Sequence, residues 1–266
     1  MSLDRNISRM YWYFNPRLGL NFGDWIGPFL YRELRGHGPV FTDQLTRGSS
    51  GVFFSCGSIL HKISEPNRAI VWGSGAIEEE TRFEAPREIR SVRGPLSRQL
   101  CLDQGFDCPS VYGDPGLLLP EFYSPERGRN RWRLGLVPHY VDFDELSQNY
   151  AGQPDVKIID VRRNVKEVVD DIVCCDSVVS TSLHGVIVSL AYRVPTLWAR
   201  LSDRIIGGNF KFFDFYLGVG IDPPPDPFPL ASCPSIERLI LEAARAPSLP
   251  VGFSCNEILS CCPFLA

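Results

Sequence analysis

Residues 176–192 constrain the fold more than any other stretch of this chain. The apolar pair Val178-Val179 runs into Ser180-Thr181-Ser182-Leu183-His184-Gly185, Val186 to Tyr192 is almost wholly apolar, and Pro195 opens another apolar run. That order reads as strand, tight turn, buried helix, strand. It puts one of only four histidines at the carboxyl end of a strand and the start of a helix. In open α/β sheets that edge is where ligands bind. Backbone N–H groups at such a helix start favour an anion, and a histidine there moves protons near neutral pH. The alternative for His184 is a buried histidine that satisfies a polar core.

The same alternation recurs along the chain. Apolar runs at Val52-Phe53-Phe54-Ser55, Ala69-Ile70-Val71-Trp72 and Ile89 to Arg93 read as strands of a first group. Leu134 to Val137, Val156 to Ile159, Ser177 to Ser180 and Leu197 to Ala199 belong to a second. Gly94-Pro95 opens a helix that Gly105 stops. Val165, Val168, Val169, Ile172 and Val173 recur at i, i+3, i+4, i+7 and i+8, an amphipathic helix packed on a sheet. The predicted class is α/β, with two lobes: an N-terminal lobe over 1–122, a C-terminal lobe over 132–230, and a C-terminal helix and tail over 231–266. The polar, basic, proline-marked stretch from Leu119 to Arg131 is the expected linker.

Composition narrows the partners. A net charge of -4 gives no reason to expect nucleic acid. No run of eighteen apolar residues exists to span a membrane, and Met1 to Arg5 lacks a signal-peptide core. The expected location is cytoplasmic, a peripheral position at the inner face of the membrane included. Nine cysteines without metal-site spacing read as packed thiols, and no metal-ligand cluster is visible.

Several turns carry polar side chains, each with two readings. Asn21-Phe22-Gly23-Asp24 either lets backbone approach a ligand or makes Asp24 a helix N-cap, the commoner case. Gly57-Ser58 and Gly73-Ser74-Gly75 are glycine-bearing strand ends; neither is a dinucleotide or ATP loop. Arg93 ends a strand where a helix begins, so its guanidinium either forks onto a carboxylate or phosphate or pairs with an acidic residue of the other lobe. Asp114, before Pro115, either touches ligand or forms a turn, the commoner case. His139 ends the first strand of the second group, the same kind of edge as His184, or is an idle loop histidine. Arg204 and Lys211 flank a glycine-rich loop that either closes over an anion or is simply solvated.

Taken in order, these pieces resemble the polysaccharide pyruvyl transferase family. The matching residues are Asn21-Phe22-Gly23-Asp24, Gly57-Ser58, Val92 to Ser97, Gly113-Asp114-Pro115, Gly135 to Tyr140, Ser182-Leu183-His184-Gly185 and Lys211 to Phe215. Two positions depart from the family pattern: Ser182 stands where some members have arginine, and Cys56 stands where a glycine is expected. The resemblance implies two Rossmann-like lobes around a central cleft, as in GT-B glycosyltransferases. It implies transfer of pyruvate from phosphoenolpyruvate, a donor substrate rather than a cofactor, to a free or lipid-linked saccharide acceptor, leaving a pyruvate ketal. His184 would then be the catalytic residue. Arg93, Asn21, Gly23, Asp24, Gly57, Ser58, His139, Ser182, Leu183, Gly185, Arg204 and Lys211 would line the substrates. Two other classes fit the same lobes: a GT-B glycosyltransferase using a nucleotide sugar, marked by a base-stacking pocket and paired acidic ribose ligands, and a non-catalytic glycan- or anion-binding protein.

Overall fold

The computed structural model of the protein describes residues 8–16, 19–42, 51–64, 68–125 and 131–265. The first part of the chain forms β1 (Arg9–Tyr11), α1 (Phe22–Arg35), β2 (Val40–Phe41), β3 (Val52–Phe54), β4 (Ala69–Trp72), β5 (Glu88–Ser91) and α2 (Pro95–Asp103). A 3-10 turn, Pro115–Leu118, runs directly into α3 (Leu119–Phe122). The second part forms β6 (Leu134–Val137), α4 (Phe143–Asn149), β7 (Val156–Ile158), α5 (Val165–Val173), β8 (Val178–Ser180), α6 (Leu183–Ala191), β9 (Thr196–Arg200), α7 (Phe210–Gly218) and β10 (Phe228–Pro229). Two helices, α8 (Ile236–Arg245) and α9 (Asn256–Ser260), close the chain.

The strands make two five-stranded sheets, β2-β1-β3-β4-β5 and β10-β9-β8-β6-β7, each parallel throughout. Counted from its own first strand, each sheet has the order 2-1-3-4-5, a Rossmann-like doubly wound arrangement. In this order the chain reverses direction across the sheet between strands 1 and 3. The connections leaving those two strands diverge and open a crevice at their carboxyl ends. The crevice of the first sheet lies beyond β1 and β3, and that of the second beyond β6 and β8. His139 and His184 follow β6 and β8.

Local chemistry explains where the elements begin and end. Asn164 caps α5, its side chain accepting from the Glu167 amide at 3.1 Å, and Val165, Val168, Val169 and Ile172 are buried. Gly94 precedes Pro95, which stands in the first turn of α2. The first sheet has few helices of its own, and the C-terminal tail supplies part of its cover. Phe264 packs edge-on against Tyr31, Phe53 and Trp72 at 5.0–5.1 Å, and the Trp72 indole donates to the Ile258 carbonyl at 2.8 Å. Among the described residues, one of three apolar clusters spans both parts, from Met10, Phe22 and Ile26 in the first to Val137, Ile172 and Ile187 in the second. Burying side chains of this size contributes about 1.5–3 kcal/mol each.

Two expectations are corrected here. The linker reading began at Leu119, but 119–122 is helix α3 and Leu117, Leu118 and Leu119 are core residues; the basic segment 126–130 lies outside the described residues, as does the amino terminus through Arg5. Lys211 belongs to the first turn of α7 rather than to a loop. Among the described residues no helix is long and apolar enough to cross a membrane.

Candidate active site

The turn between β8 and α6 is tied to the end of β6. The Ser180 hydroxyl lies within hydrogen-bonding distance of the Val137 and Ser182 carbonyls, and the Ser182 amide donates to it at 3.0 Å. The His139 amide donates to the Thr181 hydroxyl at 2.8 Å. Every residue of α6 from Leu183 to Leu190 is buried, including Gly185, so this helix is packed on all sides and its first turn is fixed. His184 sits in that turn, 8% exposed.

The amino terminus of α1 comes against it. A Cβ on Gly23 would collide with the His184 ring, which is why only glycine allows this approach. Asn21, not Asp24, is the N-cap of α1; Asp24 lies one turn in and accepts from the Asn21 amide group at 2.8 Å. This corrects the capping reading of Asp24 and leaves its carboxylate, 8% exposed, facing the histidine. Gly57, with φ of 102°, lies alongside Asp24.

Asp114 completes the cluster. It is fully buried; one oxygen accepts from the Gly116 amide at 2.8 Å, and the other has no hydrogen-bond partner. That second oxygen lies 3.6 Å from His184 Nε2, which is likewise unpartnered. A buried carboxylate facing an imidazole orients the ring. Burial pushes the Asp114 carboxyl up, but the nearby His184, the Gly116 amide and the charge of Arg93 outweigh it and hold Asp114 below the ordinary range.

Burial sets the remaining charges. Asp24 is raised to about 6 by desolvation, with Asp114 reinforcing the shift and His184, Asn21 and Lys211 opposing it. Lys211 is lowered to about 8, first by desolvation and then by Arg93; its ammonium donates to the Ile206 carbonyl at 2.8 Å. His139 is pushed down to about 3 by desolvation and Lys211, so it is neutral at physiological pH. Cys56, fully desolvated and near Asp114, is held well above its ordinary value and remains a thiol.

Arg93 is buried rather than open to a ligand. Its guanidinium donates to Asp214 of α7 at 3.0 Å, to the Ser58 hydroxyl at 2.6 Å and to the Ala76 carbonyl at 2.6 Å. Asp214 also accepts from the Ser97 amide at 2.9 Å and the Ser97 hydroxyl at 2.6 Å. Both charged side chains are 0% exposed. Of the two readings of Arg93, the geometry contains the ion pair with an acidic residue of the second part, and Ser58 belongs to the same network. Arg204 is half-exposed and bound to Asp142 at 3.1 Å and Glu145 at 2.7 Å, which turns it toward α4. The sequence reading did not single out Asp214; its turn reading of Asp114 holds, since one oxygen caps the 115–118 turn, but it named no histidine partner for the other. An Asp three residues after Lys211 on one helix carries no signal of a partner 121 residues away.

Two spaces adjoin the cluster. A narrow one is lined by Tyr13, Asn21, Asp24 and Tyr140. A cavity of about 260 Å³ at the carboxyl edge of the second sheet is lined by Thr181, Trp198, Ser202, Asn209 and Phe212. Its Trp198 and Phe212 rings stack on each other at 4.5 Å and are both buried. Among the described residues no group of three His, Cys, Asp or Glu side chains is placed to hold a metal.

Two parallel Rossmann-like sheets, with ionisable side chains gathered at the carboxyl ends of their strands, define an α/β protein with its candidate site at those strand ends. The polysaccharide pyruvyl transferase family model matches residues 4–202, and the chain belongs to that family. It is 26% identical over 228 residues to the uncharacterized protein L143 of Acanthamoeba polyphaga mimivirus, a match covering 84% of this chain and 78% of the other. It is 27% identical over 222 residues to the succinoglycan biosynthesis protein ExoV of Rhizobium meliloti (strain 1021), covering 80% of this chain and 66% of that one. No solved structure matches it significantly.

Proposed function

We propose that the protein transfers pyruvate from phosphoenolpyruvate to two hydroxyls of one sugar in an exopolysaccharide or its lipid-linked precursor, forming a pyruvate ketal and releasing phosphate. The observation that carries the reading is the buried Asp114–His184 pair, with Asp24 and Lys211 beside it. The two parallel sheets would act as the two lobes of a GT-B-like cleft, with the donor on the turns that follow β6 and β8.

The chemistry needs one proton delivered to the donor methylene and two removed from sugar hydroxyls. His184, protonated and held by Asp114, delivers the first, and the central carbon becomes electrophilic. One sugar hydroxyl adds there and gives its proton to Asp24. The carbon–oxygen bond to phosphate then breaks, the electron pair leaving with phosphate, which takes the proton from Asp24. The second hydroxyl adds and returns a proton to the neutral imidazole of His184. Lys211 and the amides of Leu183, His184 and Gly185 at the start of α6 offset the charge of the donor carboxylate and phosphate. His139 is neutral at working pH, so it suits a hydrogen-bonding role rather than that of acid.

The direct test incubates the protein with phosphoenolpyruvate and a series of depyruvylated succinoglycan fragments, the polymer named in the ExoV relative. Phosphate release matched by a ketal-linked pyruvate in the mass spectrum supports the reading. Phosphate release equal to the buffer control, or glycosyl transfer from a nucleotide sugar instead, ends it.

The pKa shifts fix the expected pH profile. Asp24 must be ionised to accept a proton, so kcat/KM rises as pH passes about 6; Lys211 must stay charged, so it falls above about 8. Asp24→Asn should remove the acidic limb along with most of the turnover. The same change should raise stability. The folded carboxyl at about 6 lies above its unfolded value of 3.8, so stability falls as pH rises through that window and the loss persists above it. At about 1.4 kcal/mol per pKa unit, relief of that cost is roughly 3 kcal/mol at pH 8 and vanishes near pH 3. Thermal melts of both proteins at the two pH values check the sign.

A further inference from the structure

A cavity of about 610 Å³ opens on the flank of α1, more than twice the volume of the one beside Thr181. It is lined by Trp12, Leu20, Trp25, Phe29, Arg32 and Lys166, among others. On α1 the lining residues Trp25, Pro28, Phe29 and Arg32 fall at i, i+3, i+4 and i+7, one continuous stripe of the helix. The stripe starts immediately after Asp24. Leu20 lines both this cavity and the narrow space that contains Asp24 and Tyr140, so the two spaces are neighbours across one side chain.

The lining is aromatic in the middle and charged at the edge. The Trp12 and Trp25 rings meet at 5.3 Å with a 57° tilt. The Lys166 ammonium lies 5.7 Å over Phe29 and 5.0 Å over Tyr123. Arg32 and Glu33 of α1, with Asn164 and Lys166 at the start of α5, complete the rim. From Trp25 to Arg32 the helix advances about 10 Å, at roughly 1.5 Å per residue. That is the length of about two linked sugar rings.

We infer that this groove is the acceptor subsite: it holds the sugar units that flank the one receiving pyruvate. The inference rests on the pyruvyl-transfer reading and extends it to the place on this chain where the sugars flanking the modified one are held. A sugar ring presents a C–H face to an aromatic ring and a rim of hydroxyls to charged and amide side chains, which is the pattern of this lining. A second protein chain seated here would leave unexplained why the stripe leads directly to Asp24. An extended glycan enters the groove and delivers two hydroxyls to the carboxylate at its end.

The experiment titrates the intact protein with depyruvylated succinoglycan fragments of graded length and with methyl glucoside and methyl galactoside, without phosphoenolpyruvate. Tryptophan fluorescence is read in wild type, Trp25→Ala, Trp25→Phe and Phe29→Ala. Fragments of two or more sugars should perturb the fluorescence, and their affinity should fall about tenfold or more in both alanine variants. Trp25→Phe should recover much of the loss. The methyl glycosides, and phosphoenolpyruvate in a separate titration, should bind all four proteins alike, which separates loss of the groove from loss of fold. Equal affinity for the long fragments in wild type and Trp25→Ala overturns the inference, as does failure of every fragment to bind. Fragment binding that depends on Trp25 but leads to no pyruvyl transfer would retire the proposed reaction and leave the glycan groove standing.

Discussion

His184→Gln is expected to lose turnover by about 10²–10⁴-fold with little change in phosphoenolpyruvate affinity. The separation follows from the geometry: the donor anion is held by Lys211 and the α6 amides, whereas the proton moves through the imidazole. Glutamine keeps the polar character and approximate length at a position where Gly23 leaves no spare room. Asp114→Asn should lose part of the same activity by a different route. It retains the hydrogen-bonding capacity that anchors the 115–118 turn but removes the charge facing Nε2. Steady-state phosphate release and donor calorimetry on the same folded preparations decide the matter. Near-normal turnover in His184→Gln removes it as the acid. His139 does not inherit that role, because burial and Lys211 keep it neutral.

The second large effect is on stability. Asp214→Ala should cost about 3–5 kcal/mol, because it leaves the Arg93 guanidinium buried and without its counter-charge. Four hydrogen-bonding groups are disturbed at once: the Arg93 guanidinium, the Ser97 amide, the Ser97 hydroxyl and the Asp214 carboxylate itself. Arg93→Lys should also destabilise, since an ammonium cannot reach Asp214, Ser58 and the Ala76 carbonyl in the fixed directions of a planar fork. Replacing both partners, as in Arg93→Met with Asp214→Leu, should recover a large part of the loss by removing the unpaired charge. Urea denaturation measures all four proteins. A cost below about 1 kcal/mol for Asp214→Ala would mean that the pair is not the clasp between β5 and α7. The backbone is built for that clasp: a Cβ on Gly94 would collide with the Asp214 main chain, and one on Gly218 with the Arg93 carbonyl.

Much of the second sheet was legible in the sequence. Leu134–Val137 and Val165–Val173 occupy the ranges that apolar runs and helical spacing predicted, and β8, α6 and β9 fall within a residue or two of theirs. These elements are buried on most sides, so their composition alone announces them. Strands β1, β2 and β10 were not read, for they have only two or three residues each and are defined by pairing with neighbours rather than by a pattern of their own. The helices α4 and α7 were missed as well; in α7, aromatic residues on several faces blur the periodicity.

The sequence by itself determined the strand–turn–helix alternation, the family, and which turns carry polar side chains, because each of these depends on residues close together in the chain. Tertiary structure alone decided what those side chains do. Asp24 turned from a helix cap into a raised carboxyl because α1 begins at Phe22 and burial of its first turn desolvates the side chain. Asp114 became the partner of that histidine because the 115–118 turn packs against α6, some seventy residues later. Of the two readings of Arg93, the ion pair is the one realised, with an aspartate 121 residues away. Charge pairing and desolvation depend on distance in space, and the spacing of residues along a chain does not encode that distance until the two sheets are in place.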